Sequence, residues 1–290
     1  MLVREPVVAG QFYPGSRAGC LRQIEGMLPA ALPKDVPQRP VAGIVPHAGW
    51  TFSGPTALAV LEAIRSRRSP KTFVLFGAAH RHGAGHALFA QGRWETPLGP
   101  IEVDDFLARE ILARTGDLVA DDPMAHEEEH SLEVQLPFIR HLFPEAKIVP
   151  LTVVPDERAA EVGRAVGRTV QTLDADAVCL GSTDLTHYGP AYGFAPRGYG
   201  AAAVRWVRQE NDRRMVDLML RLDADAAVAE AARHANACGS GAVAATLAAA
   251  RQLGAERGIL VGYTTSYDVL ERETGRADPS AVVGYAGVVF

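Results

Sequence analysis

At 290 residues the chain can bury a sizeable core, as one large α/β domain or two ordinary ones, and 48% hydrophobic with 22% charged residues is the composition of a globular protein. A formal net charge of −5 leaves no broad basic surface and argues against nucleic acid as a partner. No stretch reaches the length of a membrane span, the opening Met-Leu-Val-Arg-Glu-Pro has no apolar signal core, and Cys20, Cys179 and Cys238 form no CxxC pair. Together these imply a reducing, cytoplasmic setting without a membrane partner.

Residues 7–15 read as a short extended piece closed by a Pro-Gly turn, and a helix follows from about Ser16 with Cys20, Ile24 and Met27 on one face. Residues 29–40 hold four prolines and read as a connecting loop. A buried strand over 41–45 runs into Pro46-His47-Ala48-Gly49, and a helix is predicted from near Ser53 or Pro55 to about Arg67. The next strand, 72–76, runs into Gly77-Ala78-Ala79-His80. Strand, helix and strand make a βαβ unit, and in such folds ligands collect beyond the carboxyl ends of the strands, where His47 and His80 stand.

Residues 86–103 read as shorter strands around turns, a hairpin among them, and Asp104 or Asp105 caps a helix to about Thr115. Leu132, Leu136, Ile139 and Phe143 mark a further helical face. A strand at 147–154, a helix at 157–173 and a buried strand at 177–181 follow, the last ending in Ser182-Thr183-Asp184-Leu185-Thr186-His187. Two helices cover about 201–233, an Ala-rich helix follows Cys238-Gly239-Ser240-Gly241, and strands at 258–265 and 281–290 close the chain around a polar loop. Without a repeat or a composition break, this alternation predicts a single α/β domain over residues 1–290. Its central sheet is mainly parallel or mixed, with helices on both faces.

Cys238 is predicted at or just before a helix N-terminus, where unpaired N–H groups favour the thiolate. Two imidazoles at adjacent strand ends and that thiolate supply three strong ligands of mixed softness, and His82 and His86 are alternatives for the second. Asp184-x-x-His187 reads as an acid/base histidine beside a carboxylate. His126-Glu127-Glu128-Glu129-His130 spells the HExxH zinc-protease signature, but its five positions contain nothing apolar and the amphipathic helix begins only at Ser131. It reads instead as an acidic loop entering a helix, with His130 lining the site and Glu133 within its reach. Cys20 and Cys179 read as core.

Several blocks taken together resemble one family. They are Ala9-Gly10-Gln11-Phe12-Tyr13, Pro46-His47-Ala48-Gly49-Trp50-Thr51-Phe52-Ser53-Gly54, Gly77-x-x-His80, Glu128-Glu129-His130-Ser131-Leu132-Glu133-Val134-Gln135-Leu136-Pro137, Ser182-Thr183-Asp184-x-x-His187-Tyr188-Gly189, and Cys238-Gly239. In this order, and across essentially the whole chain, they are similar to the MEMO family (mediator of ErbB2-driven cell motility), whose prokaryotic members are labelled AmmeMemoRadiSam system protein B.

The resemblance implies the fold of class III extradiol dioxygenases, non-haem iron(II) enzymes that open catechol-type rings. Carried over by position, it implies His47, His80 and Cys238 as metal ligands, His187 as the acid/base residue, and Asp184 and His130 lining the catalytic pocket. The implied cofactor is Fe2+, with copper or zinc as alternatives because a thiolate replaces the dioxygenases' carboxylate. The implied activity is that of a metal-dependent oxidoreductase acting on a small diol or catechol-like substrate with dioxygen. Two other readings stand beside it: a non-catalytic binding protein for a peptide or protein partner, as the animal members' phosphotyrosine-peptide association suggests, and a zinc hydrolase. Phe52 stands where animal members carry tyrosine, and the family label implies a pathway link to a radical-SAM protein.

Overall fold

The computed structural model describes residues 2–80 and 85–290. The first half contains β1 (Val3–Arg4), α1 (Arg17–Met27), β2 (Ala42–Val45), α2 (Trp50–Arg65), β3 (Thr72–Ala78), β4 (Ala87–Leu88), β5 (Arg93–Trp94), β6 (Ile101–Glu102), α3 (Asp105–Thr115), β7 (Ala120–Asp121), α4 (His130–Glu133) and α5 (Leu136–Leu142). The second half contains β8 (Lys147–Val153), α6 (Ala159–Thr172), β9 (Ala177–Ser182), β10 (His187–Tyr188), α7 (Ala201–Trp206), α8 (Asp212–Arg221), α9 (Ala224–His234), α10 (Ser240–Gln252), β11 (Ile259–Thr265), α11 (Ser266–Thr274) and β12 (Val282–Val289). A π-helical turn, Val207–Asn211, joins α7 to α8.

The unbroken apolar runs of β2, β3 and β9 are buried at every position, as parallel strands covered by helices on both faces must be. β2, β9, β3 and β8 lie parallel in that order. On one side β12 pairs antiparallel with β2 and also carries β11 and β10; on the other, β4 pairs antiparallel with β8 and parallel with β7. The central sheet is therefore mixed. β1, β5 and β6 form a separate small sheet, in which β5 and β6 are the expected hairpin.

Two glycines show how the layers close. Gly43 of β2 faces Val60 of α2, while Gly181 of β9, paired with the next residue Ile44, faces Thr246 of α10. Successive strand residues point to opposite faces, so α2 and α10 cover opposite sides of the sheet. The run from Ser240 to Ala250 in α10 is wholly buried, and its small side chains let the helix lie close to the strands.

Three features depart from the sequence reading. β9 inserts between β2 and β3, so the two histidine-bearing strands are not neighbours. α2 begins at Trp50 rather than near Ser53 or Pro55, because Trp50 N–H finds the carbonyl of Phe12 (2.7 Å), and Pro55 falls inside the helix. The polar stretch between the last two strands contains α11, whose start is fixed by a reciprocal pair of hydrogen bonds between Thr265 and Asp268. Cys20 and Cys179 are fully buried, as read. Among the described residues no helix is long and apolar enough to cross a membrane.

Candidate metal centre

The carboxyl ends of the parallel strands converge on one cleft of about 450 Å³. His47 follows β2, His80 follows β3, Asp184 and His187 follow β9, His130 opens α4, and Cys238 stands two residues before α10; all six line the cleft. Phe12, Phe52, Tyr192, Leu270 and Tyr285 contribute its apolar and aromatic wall.

Hydrogen bonds fix the tautomers of three histidines. The Ser182 hydroxyl donates to the carbonyl of Ser131 (2.7 Å), so its oxygen accepts Nδ1–H of His47 (3.0 Å) and the Nε2 lone pair of His47 faces the Cys238 sulfur. Ser182 reaches His47 because β9 lies beside β2. His80 Nδ1 lies 3.1 Å from both oxygens of Glu129, which also accepts from His80 N (3.1 Å) and Ser131 N (2.7 Å). A carboxylate only accepts, so His80 also presents Nε2 as its basic nitrogen. The carbonyl of Leu185 does the same for His187 through Nδ1–H (3.1 Å). Metal-binding histidines are typically oriented through the second nitrogen in this way. Asp184 Oδ1 holds the chain at His47 by accepting from the backbone N–H of His47 (2.7 Å) and Ala48 (3.3 Å).

Among the described residues, the metal-ligand side chains that converge are His47, His80 and His130, whose donor nitrogens lie within 4.8 Å of one another. Their ring centroids are 5.3 Å (His47–His80), 5.5 Å (His47–His130) and 4.8 Å (His80–His130) apart. Cys238 Sγ stands 3.1 Å from His47 Nε2 and accepts from Asp184 N (3.3 Å), but lies outside the histidine trio. Donors sharing one ion, at about 2.1 Å for nitrogen and 2.3 Å for sulfur, sit roughly 3.0 to 3.4 Å apart for two nitrogens and roughly 3.1 to 3.6 Å for nitrogen and sulfur, at angles between 90° and tetrahedral. The His47–Cys238 separation of 3.1 Å meets that range, and the histidine nitrogens lie within 4.8 Å of one another. The donor set therefore fits a first-row transition ion.

Burial, then the neighbouring His80 and His130 rings, keeps the His47 pKa well below its ordinary value, so the ring is neutral. Burial also lowers His130 and His187. For His80, burial is outweighed by the hydrogen bond and charge of Glu129, and its pKa rises. Glu129, despite burial, is held at about 2 by His80 and backbone N–H groups. Asp184 is pushed up to about 7 by burial. Burial, with the Asp184 charge behind it, pushes the Cys238 thiol up to about 12. Cys238 does stand just before α10, which starts at Ser240, and desolvation of its sulfur outweighs the N–H groups near it.

Other sequence candidates fall elsewhere. His126 ends a separate 3₁₀ turn, Pro123–His126, and is buried against the rings of Phe89 and Trp94, so the HExxH histidines never share a helix face. Glu133 does not reach His130; it pairs with Arg4 and accepts from Val7 N, Val8 N and the Tyr13 hydroxyl. His86 accepts from Val154 N and pairs with Asp156 rather than lining the cleft. His82 lies outside the described residues. Glu129, Ser182 and the α11 residues Ser266 and Leu270 were missed as parts of the site. The spacing Thr265-x-x-Asp268 before Val269 was a legible signal for α11.

A mixed α/β sheet with a histidine-rich cleft beyond its parallel strand ends places the chain among single-domain α/β proteins whose ligands collect at the carboxyl ends of the strands. Among these, the model of the Memo-like protein family matches residues 4–289, and the chain belongs to that family. A MEMO1 family protein of Thermococcus onnurineus is 39% identical over 100% of this chain and 99% of its own length. One from Thermococcus kodakarensis is 40% identical, and one from Caldivirga maquilingensis 32%, each over 100% of this chain and 99% of its own length. An uncharacterized protein of Escherichia coli K12 has a similar structure, with a TM-score of 0.53 over 86% of this chain and 99% of that one. At 13% identity this last likeness concerns the fold alone.

Proposed function

We propose that the protein is a metal-dependent oxidoreductase of the extradiol-dioxygenase type, using non-haem iron(II), or secondarily copper, on a small diol or catechol-like substrate with dioxygen. The observation that carries this reading is the pair His47 and His80, whose Nε2 lone pairs are set by Ser182 and Glu129 and face the cleft that also holds His187. His47 and His80 would hold the ion, and Cys238 against His47 is the third donor the family resemblance implies. When bound, such an ion supplies Lewis acidity toward a diol oxygen and a redox partner for dioxygen.

The protein's own groups divide the remaining work. His187 Nε2 takes a proton from a substrate hydroxyl and returns it as the product forms; burial lowers its pKa and so keeps the ring neutral, with Nε2 open to accept. Phe12, Phe52 and Tyr192 bracket a planar ring and exclude water from it, with Tyr192 set edge-on to His187 at 5.0 Å. Asp184 keeps the His47 backbone in place.

Anaerobic titration of the purified protein with iron(II) and copper, followed by oxygen consumption on a panel of catechols, tests this. His47→Ala weakens uptake, whereas His187→Ala spares uptake and abolishes turnover. A protein that takes up neither ion under reducing conditions overturns the reading in favour of a binding module.

A further inference from the structure

The last strand, β12, presents alternate residues to two different surroundings. Gly284 faces the buried Asp212 carboxylate, so Val283 and Tyr285 point to the opposite face, where both line the cleft. Val283 lies opposite His187 in the ladder between β10 and β12, and Tyr285 stands two residues further along the same face. Its side chain is buried among the groups of the cleft.

A buried phenol normally spends its hydrogen on an acceptor. Three other tyrosines do so: Tyr13 donates to Glu133 (2.8 Å), Tyr188 to the carbonyl of Gly198 (2.7 Å) and Tyr263 to Asp212 (2.6 Å). Tyr285 differs. Among the described residues its polar partner is Ser266, whose oxygen accepts from Val283 N (2.9 Å) and whose own hydrogen serves the phenol oxygen. The phenolic hydrogen is left for the cleft. Burial, then the charge of Asp184, raise its pKa, so the group stays a donor at neutral pH.

We propose that Tyr285 is a further catalytic residue, whose hydroxyl donates a hydrogen bond to the diol oxygen that gives up its proton to His187. The proton goes to His187 Nε2, the negative charge stays on the substrate oxygen, and the phenol holds that charge in place. The inference rests on the reading that a diol binds in this cleft. An unspent donor set in a wall of aromatic and aliphatic side chains selects for a ring that carries an oxygen at that point, because a ring without one leaves the donor unpaired.

The test is anaerobic titration of the iron(II)-loaded full chain with 4-nitrocatechol, whose visible band reports both binding and ionisation. Tyr285→Phe removes one oxygen and keeps the ring. It should take up iron(II) as the unaltered chain does and bind the probe at least about tenfold less tightly, as loss of a hydrogen bond to a charged group does. Less of the bound probe should be present as its anion, a change that a role in packing alone does not produce. Should Tyr285→Phe lose its native circular dichroism, Tyr285→Met, which also lacks a donor, carries the same comparison. Equal affinity and an identical band in both proteins overturn the role of Tyr285 and leave the oxidoreductase reading standing. Weakened iron(II) uptake by the variant overturns it too, since the residue then acts on the ion rather than on the substrate. An unaltered chain that takes up no iron(II), or takes it up and binds no probe, overturns the diol reading and this inference with it.

Discussion

Replacing Glu129 by glutamine preserves the shape of the side chain and removes its charge. The carboxylate is 3% exposed and receives His80 N, Ser131 N and His80 Nδ1. These donors hold its pKa at about 2 against an ordinary 4.5, although burial works the other way. At about 1.4 kcal/mol per pKa unit, the fold favours the ionised carboxyl by about 3 kcal/mol. Because the folded value is depressed, this stabilisation is complete above the unfolded carboxyl's pKa and is lost progressively as pH falls from 4.5 to about 2. At pH 7 the substitution therefore forfeits all of it. The glutamine oxygen recovers about 1 kcal/mol as a neutral acceptor, leaving a net loss of about 2 kcal/mol. Urea denaturation at pH 7, followed by circular dichroism, measures this directly. With a neutral acceptor in place of the carboxylate, the His80 ring should also bind an added ion roughly 10 to 100-fold less tightly. An unchanged midpoint together with unchanged ion affinity would refute the orienting role of Glu129.

Arg4→Met should cost about 3 to 5 kcal/mol, because it strands the Glu133 carboxylate, 1% exposed, without its cation; a loss below about 1 kcal/mol in a denaturant melt would contradict the buried-pair account. Asp212 accepts from Thr186 and the Tyr263 hydroxyl, yet burial raises it from 3.8 to about 6. The native chain then keeps a proton that the unfolded chain has released, so stability falls as pH rises from about 4 to about 6 and levels off above. Asp212→Asn should flatten that span in melts across the pH series, and an unaltered profile would assign the slope elsewhere. Thr265→Ala removes the cap of α11 at a cost of about 0.5 to 2 kcal/mol and should speed amide exchange in its first turn. Unchanged exchange there would show that packing alone holds the helix.

The runs at 41–45, 72–76, 147–154 and 177–181 were legible as strands because burial on both faces leaves no polar alternation to confuse them with anything else. Their order was not, since the insertion of β9 between β2 and β3 is set by packing across the whole sheet rather than by any local residue. The same gap explains the site. His47, His80, Asp184 and His187 could be picked out as loop residues at strand ends and Cys238 as a thiol before a helix, and the structure brings them to one cleft with His130. Ser182 and Glu129 could not, because their role exists only once β9 lies beside β2 and α4 reaches the end of β3. Glu133 shows the opposite error: nearness in sequence to His130 suggested a contact, but the N-terminal strand brings Arg4 to it instead.

The donors at positions 47, 80, 130 and 238 each come from a different segment, so a peptide excised around any one of them carries a single weak ligand. Chelation is consequently available to the native state and denied to the disordered chain. Any ion seated there acts as a thermodynamic clasp on the entire sheet, lifting the melting temperature in proportion to the logarithm of its free concentration over its dissociation constant. A strong chelating buffer would lower it again, making a simple melting curve a gauge of occupancy for a centre that no contiguous loop could reproduce.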